Sequence, residues 1–142
     1  MPITGGGNPL GSGGTAGIGK GLNYTLNRAY AYSGNVLAVN GTDGTLFDFT
    51  TGSDLILLDM WWSWDYEAMG DASDFGVTLT INGDTVIDEE QSTRASGGRV
   101  VMQIFRQQLL LAPYTRFVMT NTTTTGAPGV TCAMTLNGVL IT

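Results

Sequence analysis

FGVTLTINGDTVID, residues 75–88, decides the fold. Phe75, Val77, Leu79 and Ile81 alternate with Gly76, Thr78, Thr80 and Asn82, so an extended chain puts all four apolar side chains on one face. A helix would scatter them around its axis. Asn82-Gly83 then supplies two residues that tolerate positive φ, as a two-residue hairpin turn requires, and Thr85–Asp88 returns. The unit is a β-hairpin with one face for a core.

The same device recurs on both sides. Downstream, Val130, Cys132, Met134 and Leu136 alternate ahead of Asn137-Gly138, which reads as a turn into a last strand at Val139–Thr142. Upstream, Asn40-Gly41 ends a short strand at Val36–Asn40, and Thr45–Thr50 places Phe47 and Phe49 on one face. Tyr24-Thr25-Leu26 and Tyr30-Ala31-Tyr32 read as strand pieces, followed by a Ser33-Gly34 break. Asp54–Trp64 is the longest continuous candidate. Arg99–Ala112 fits two templates. One is a helix with Val101, Ile104, Phe105 and Leu109 near one stripe; the other is two strands bent around Gln107-Gln108. Val100-Val101 at the start and Pro113 at the stop favour strands. Eight to ten short strands with at most one helix imply an all-β antiparallel β-sandwich, with the eight-stranded jelly roll as the expected form.

The chain's 142 residues suit one domain with a core of its own. Residues 1–22 form a Gly-rich N-terminal arm with little to pack, leaving 23–142 as the sandwich. Free in solution, such an arm cannot bury enough surface to offset its ordering entropy. Only 13% of residues are charged, and small polar residues take the place of charge on the surface. All twelve carboxylates lie in residues 43–90, while Arg94, Arg99, Arg106 and Arg116 lie in 91–142 with none. Such blocks can pair within one fold or across subunits. A net charge of −6 argues against a nucleic-acid partner held through its phosphates. No apolar run reaches membrane-spanning length, and the first residues lack the order of a signal peptide.

Several motifs invite a chemistry and stop short of it. Gly14-Thr15-Ala16-Gly17-Ile18-Gly19-Lys20 fits part of a phosphate-binding loop, and Leu55–Asp59 resembles the strand that helps hold its magnesium. The metal-binding hydroxyl should follow the lysine, but Gly21 stands there, and no strand–loop–helix context surrounds it. Asp65, Glu67, Asp71 and Asp74 beside Trp61, Trp62, Trp64 and Tyr66 could bind sugar or calcium, but their spacing fits no calcium loop. A solvated acidic loop is the simpler reading. With no histidine, the usual general base and the commonest metal ligand are missing. Cys132, alone and inside an apolar alternation, reads as a buried thiol. The acceptor patterns at Asn23, Asn40 and Asn121 read as chance in a Thr-rich chain. The expectation is a non-enzyme with no cofactor and no metal.

Trp61-Trp62-Ser63-Trp64 carries more. On a strand, Trp62 and Trp64 continue the row of Ile56, Leu58 and Met60, while Trp61 continues Leu55 and Leu57 on the other side. Apolar residues on both sides of a sandwich strand imply that something covers the outer face, either a partner or a loop. Leu55, Leu57, Trp61 and Trp64, with Ile3, Leu10 and Ile18 of the arm, are the candidate interface residues.

Ala29–Gly34, Val36–Asn40 and Thr45–Gly52 resemble segments of small virion proteins of tailed bacteriophages, of the capsid cement or decoration type. About a third of the chain shares this likeness closely. The resemblance implies a homotrimer made in the host cytoplasm and bound to the major capsid protein on the outer surface of the virion, with its arm laid over the shell. It identifies no functional residue. The competing expectation is a carbohydrate- or receptor-binding jelly roll at a fibre or spike tip, using the Trp61–Asp74 region.

Overall fold

The structure, a computed structural model, describes residues 21–68, 73–93, 98–101, 105–123 and 129–141. Among these are ten strands and no helix. They are β1 (Asn23–Thr25), β2 (Arg28–Ala38), β3 (Gly44–Thr50), β4 (Leu55–Ala68) and β5 (Ser73–Ile81), then β6 (Asp84–Thr93), β7 (Gly98–Val101), β8 (Phe105–Leu111), β9 (Arg116–Thr123) and β10 (Val130–Ile141). One sheet has the order β1-β2-β10-β4-β7, with β8 also on β4; the other has the order β3-β9-β5-β6.

β7 and β8 pair with successive parts of β4, Asp65–Ala68 and Ile56–Trp62, so they act as one interrupted strand. Eight strands then remain besides the short β1. Their antiparallel pairs are β2 with β10, β3 with β9, β4 with β7/β8, and β5 with β6. This is one long hairpin, its tip at the β5–β6 turn, rolled until its strands form two facing sheets. The wound pattern is the jelly roll. At the tip, Asn82 (φ 53°) and Gly83 (φ 94°) are both left-handed, as the hairpin turn demands.

Alternation builds the core as expected. Phe75, Val77 and Leu79 face Ile56, Leu58, Met60 and Trp62 across the layers, with Val130, Cys132, Met134 and Leu136 beside them, all buried. A register shift between Thr45 and Phe47 lets consecutive Leu46 and Phe47 both turn inward. One polar group crosses the apolar interior. Asn121 of β9 is fully buried, and its amide donates to the Val36 and Val130 carbonyls at 2.9 Å each while its oxygen accepts from Trp64 Nε1 at 3.3 Å. One side chain thus ties the β9 sheet to β2, β10 and β4. Most buried polar groups are bonded in this way, because an unpaired one costs free energy.

The charge blocks pair inside the fold. Asp48 holds Arg116 across β3–β9 at 3.1 Å, and Asp59 holds Arg106 across β4–β8 at 2.7 Å. Carboxylates Asp84, Asp88 and Glu90 line exposed positions of β6, one of the two edge strands of its sheet among the described residues, where charge discourages pairing with another chain.

Four details correct the sequence reading. Asn137-Gly138 is no turn, for β10 runs through it without a break. Gly138 is there because a Cβ would lie 2.8 Å from Ile56 Cγ2 and 3.3 Å from Ala29 Cβ. Ser33-Gly34 is no break either. It is an irregularity inside β2, with Gly34 at φ 65° opposite the register shift between Ala133 and Thr135. Residues 99–112 hold two strands, but Gln107-Gln108 lie within β8. Leu22, assigned to the arm, is fully buried in the core; the domain begins before Asn23.

Candidate interaction surface

With the inner faces filled, exposed aliphatic and aromatic side chains gather on the outer face of the larger sheet. Pairing registers set its side chains in rows across the strands. One row reads Arg28, Val139, Leu57, Leu110 from β2 to β8, with Leu55 opposite Ile141 beside it. The next reads Tyr30, Asn137, Asp59, Gln108. The third reads Tyr32, Thr135, Trp61, Arg106. An apolar band and an aromatic row are therefore separated by a polar one.

The band is open to solvent. Leu57, Leu110 and Ile141 are 40%, 55% and 44% exposed, and Leu55 and Val139 are half-buried. Three apolar side chains abreast on adjacent strands form a patch rather than the scattered exposure normal for a surface.

The aromatic row is held differently. Arg106 donates through Nε and one Nη to both carboxylate oxygens of Asp59, at 3.0 and 2.7 Å. Its guanidinium also lies 4.9 Å from the centre of the Trp61 ring, a cation–π distance. Bidentate pairing fixes the arginine, and the arginine in turn fixes one side of the indole. The same hydrogen bonds hold the Asp59 carboxyl below the usual carboxylate range. Asp59, the residue that resembled a magnesium-holding aspartate, is thus engaged by Arg106. On the β2 side of Trp61 lies an open depression of about 370 Å³, lined by residues of β2, β4 and β10 that include Tyr32, Asn35, Ser63 and Thr135. A second, of about 300 Å³, adjoins it and shares Tyr32.

Of the expected interface residues, Leu57 and Trp61 are exposed on this face and Leu55 is half-buried there. Trp64 is a correction. Its ring is completely buried, edge-on to Phe75 at 5.4 Å and to Phe105 at 5.3 Å, because it shares the inward row of Ile56 and Leu58. Ile3, Leu10 and Ile18 lie outside the described residues, as do the whole loop match at 14–20 and the side chains of Asp65, Glu67 and Asp71. Asn121, read as a chance glycosylation acceptor, is enclosed and has its amide engaged. Cys132 is buried, and burial pushes its thiol up to about 12.

Sequence reasoning missed Leu110, Val139, Ile141 and Tyr32. Placing Gln107-Gln108 at a bend hid the outward phase of Leu110, and placing a turn at Asn137 did the same for Val139 and Ile141. Tyr32 had a legible signal. In Ala29-Tyr30-Ala31-Tyr32 the alanines are buried, so the tyrosines must point outward.

No protein-family model matches the chain, and no curated protein matches it in sequence. Among solved structures it is similar to a chain of the T13 IBDV viral particle, with 11% identity and a TM-score of 0.45, over 84% of this chain and 33% of that one. It is also similar to a chain of the infectious bursal disease virus Gx strain, with 10% identity and a TM-score of 0.46, over 93% of this chain and 38% of that one. This chain spans less than two fifths of the length of either. No residue role passes from them to it.

Proposed function

We propose that this chain is a structural virion protein of the capsid cement or decoration type, which binds the outside of a phage shell as a homotrimer and stabilises it. The observation that carries the reading is the apolar band of Leu57, Leu110 and Val139, flanked by Leu55 and Ile141, on a sheet whose other face already fills the core. Removing that band from water favours association by roughly 25 cal/mol per Å² of apolar surface covered. Three strands about 4.8 Å apart and two side-chain rows about 7 Å deep each give the band a footprint of roughly 200 Å². A stable interface needs about 800 Å² from each partner. The band supplies only part of that area, and in this reading the Gly-rich arm supplies the rest by ordering on the shell. The likeness of residues 29–52 to phage virion proteins supports the same reading.

The test uses shells that lack the protein. Leu57→Asp and Leu110→Asp change exposed positions, so each variant should fold normally yet fail to co-sediment with shells at concentrations that saturate wild type. Undiminished attachment of both variants would remove the band, and with it the argument.

A further inference from the structure

We infer that the aromatic row holds a second site, one for a neutral oligosaccharide, lying across Tyr32 with Trp61 as its far wall. The inference stands apart from the apolar band and does not depend on it. Tyr32 and Trp61 flank Thr135 on neighbouring strands, so their backbones stand about 10 Å apart, two strand spacings. Both rings are exposed, at 57% and 40%. Between them lies the 370 Å³ depression, and beyond Tyr32 the 300 Å³ one. Each volume falls within the range of about 300–1,000 Å³ typical of small-molecule sites. Tyr32, common to both, would mark the junction between two successive sugar units.

The lining selects the ligand class. Aromatic faces take the apolar C–H faces of a pyranose ring, while hydroxyl and amide side chains exchange hydrogen bonds with its hydroxyls. Here those groups are Asn35, Ser63 and Thr135 in the first depression and Asn137 in the second, where Arg28 also lines the wall and can donate to a sugar hydroxyl. Charge does not favour an ionic ligand in the first depression, where none of the lining side chains is charged. The nearby Arg106 is engaged with Asp59.

The platform is also set before any ligand arrives. Arg106, locked on Asp59, covers the indole from β8, whereas β2, β4 and β10 line the depression. Tyr32 is similarly supported by Tyr30, 6.0 Å away between ring centres. Rings already held in place lose little freedom on binding. The irregularity at Ser33-Gly34 opens the β2 wall, for a Cβ at Gly34 would meet nothing within 4 Å.

The experiment titrates full-length protein with maltohexaose, cellohexaose, laminarihexaose and chitohexaose to about 5 mM, above the roughly 1 mM Kd of a weak exposed site. Amide NMR shifts provide the readout. At least one hexasaccharide should give saturable shifts centred on Ala133, Thr135 and Ser63. Tyr32→Ser and Trp61→Ala should each weaken that binding at least tenfold, whereas Leu110→Asp should leave it unchanged. Should Trp61→Ala fail to fold, Tyr32→Ser together with Ser63→Arg, which fills the depression, decides the matter. Absence of saturable shifts with all four sugars would overturn the inference, as would binding that survives both substitutions. So would a Tyr32→Ser variant that loses self-association while the sugars remain without effect, since a second copy would then cover the row. None of these outcomes bears on attachment through the apolar band.

Discussion

Trp62→Phe and Trp64→Phe should have unequal effects, and the difference isolates what the buried clasp contributes. Both indoles occupy inward positions of β4 and are almost wholly buried. Both pack on Phe105, Trp62 stacked at 5.8 Å and Trp64 edge-on at 5.3 Å. Trimming either to phenylalanine leaves a comparable void, a shared cost of about 1–3 kcal/mol. Their N–H groups differ. Trp64 Nε1 donates to Asn121 Oδ1, whereas Trp62 Nε1 finds no acceptor among the described residues. Losing the first bond leaves the Asn121 oxygen buried without that donor, and losing the second removes an unpaired donor; each effect is worth about 1–3 kcal/mol. The bond is long at 3.3 Å, so a gap of about 2–4 kcal/mol is expected, with Trp64→Phe the less stable. At a urea slope of about 2 kcal/mol per M, the midpoints should lie 1–2 M apart. Far-UV circular dichroism should follow the transition, because each variant loses a fluorophore. A double-mutant cycle with Asn121→Leu should return a coupling of about 1 kcal/mol or more for Trp64 and none for Trp62. Equal midpoints, or a less stable Trp62→Phe, would refute the reasoning.

Three further outcomes follow from the same structure. Cys132 should resist thiol reagents at pH 8 in the native protein and react on unfolding. Its folded-state pKa of about 12 lies above the ordinary 9.0, so the contribution it makes below pH 9 is lost as pH rises towards 12. Stability should therefore fall by about 1–2 kcal/mol between pH 9 and 10.5, less so in Cys132→Ala; an equal fall in that variant would assign the loss elsewhere. Gly138→Ala should destabilise by about 1–3 kcal/mol in thermal melts, since its methyl meets the stiff branch of Ile56; the stabilisation expected at an open strand position would contradict that packing. Sedimentation at tens of micromolar, a range suited to moderate affinity, should show a trimer, and a wild-type monomer would count against the homotrimer of the proposed reading.

Period-two alternation was legible wherever each residue has one neighbour to satisfy. Phe75–Ile81 and Val130–Leu136 disclosed their inward faces from sequence alone, and the sandwich followed. What stayed hidden depends on third parties. Gly138 looks like a turn residue until Ile56 and Ala29 are seen beside it. Asn121 looks like a glycosylation acceptor until two carbonyls and an indole surround it. Trp61 was legible as outward, but the arginine that holds it is 45 residues away, and local spacing says nothing of such a pair. The apolar band was half legible. Leu55 and Leu57 showed in β4, while Leu110, Val139 and Ile141 needed the strand registers.

Cryo-electron microscopy of shells saturated with the protein decides whether this chain decorates a capsid. Threefold density should appear on the outer surface, with the face bearing Leu57 and Leu110 against the shell and extra density continuing from residue 21 along it. Shells without added density, or density at a fibre tip with that face open to solvent, would contradict the proposed reading.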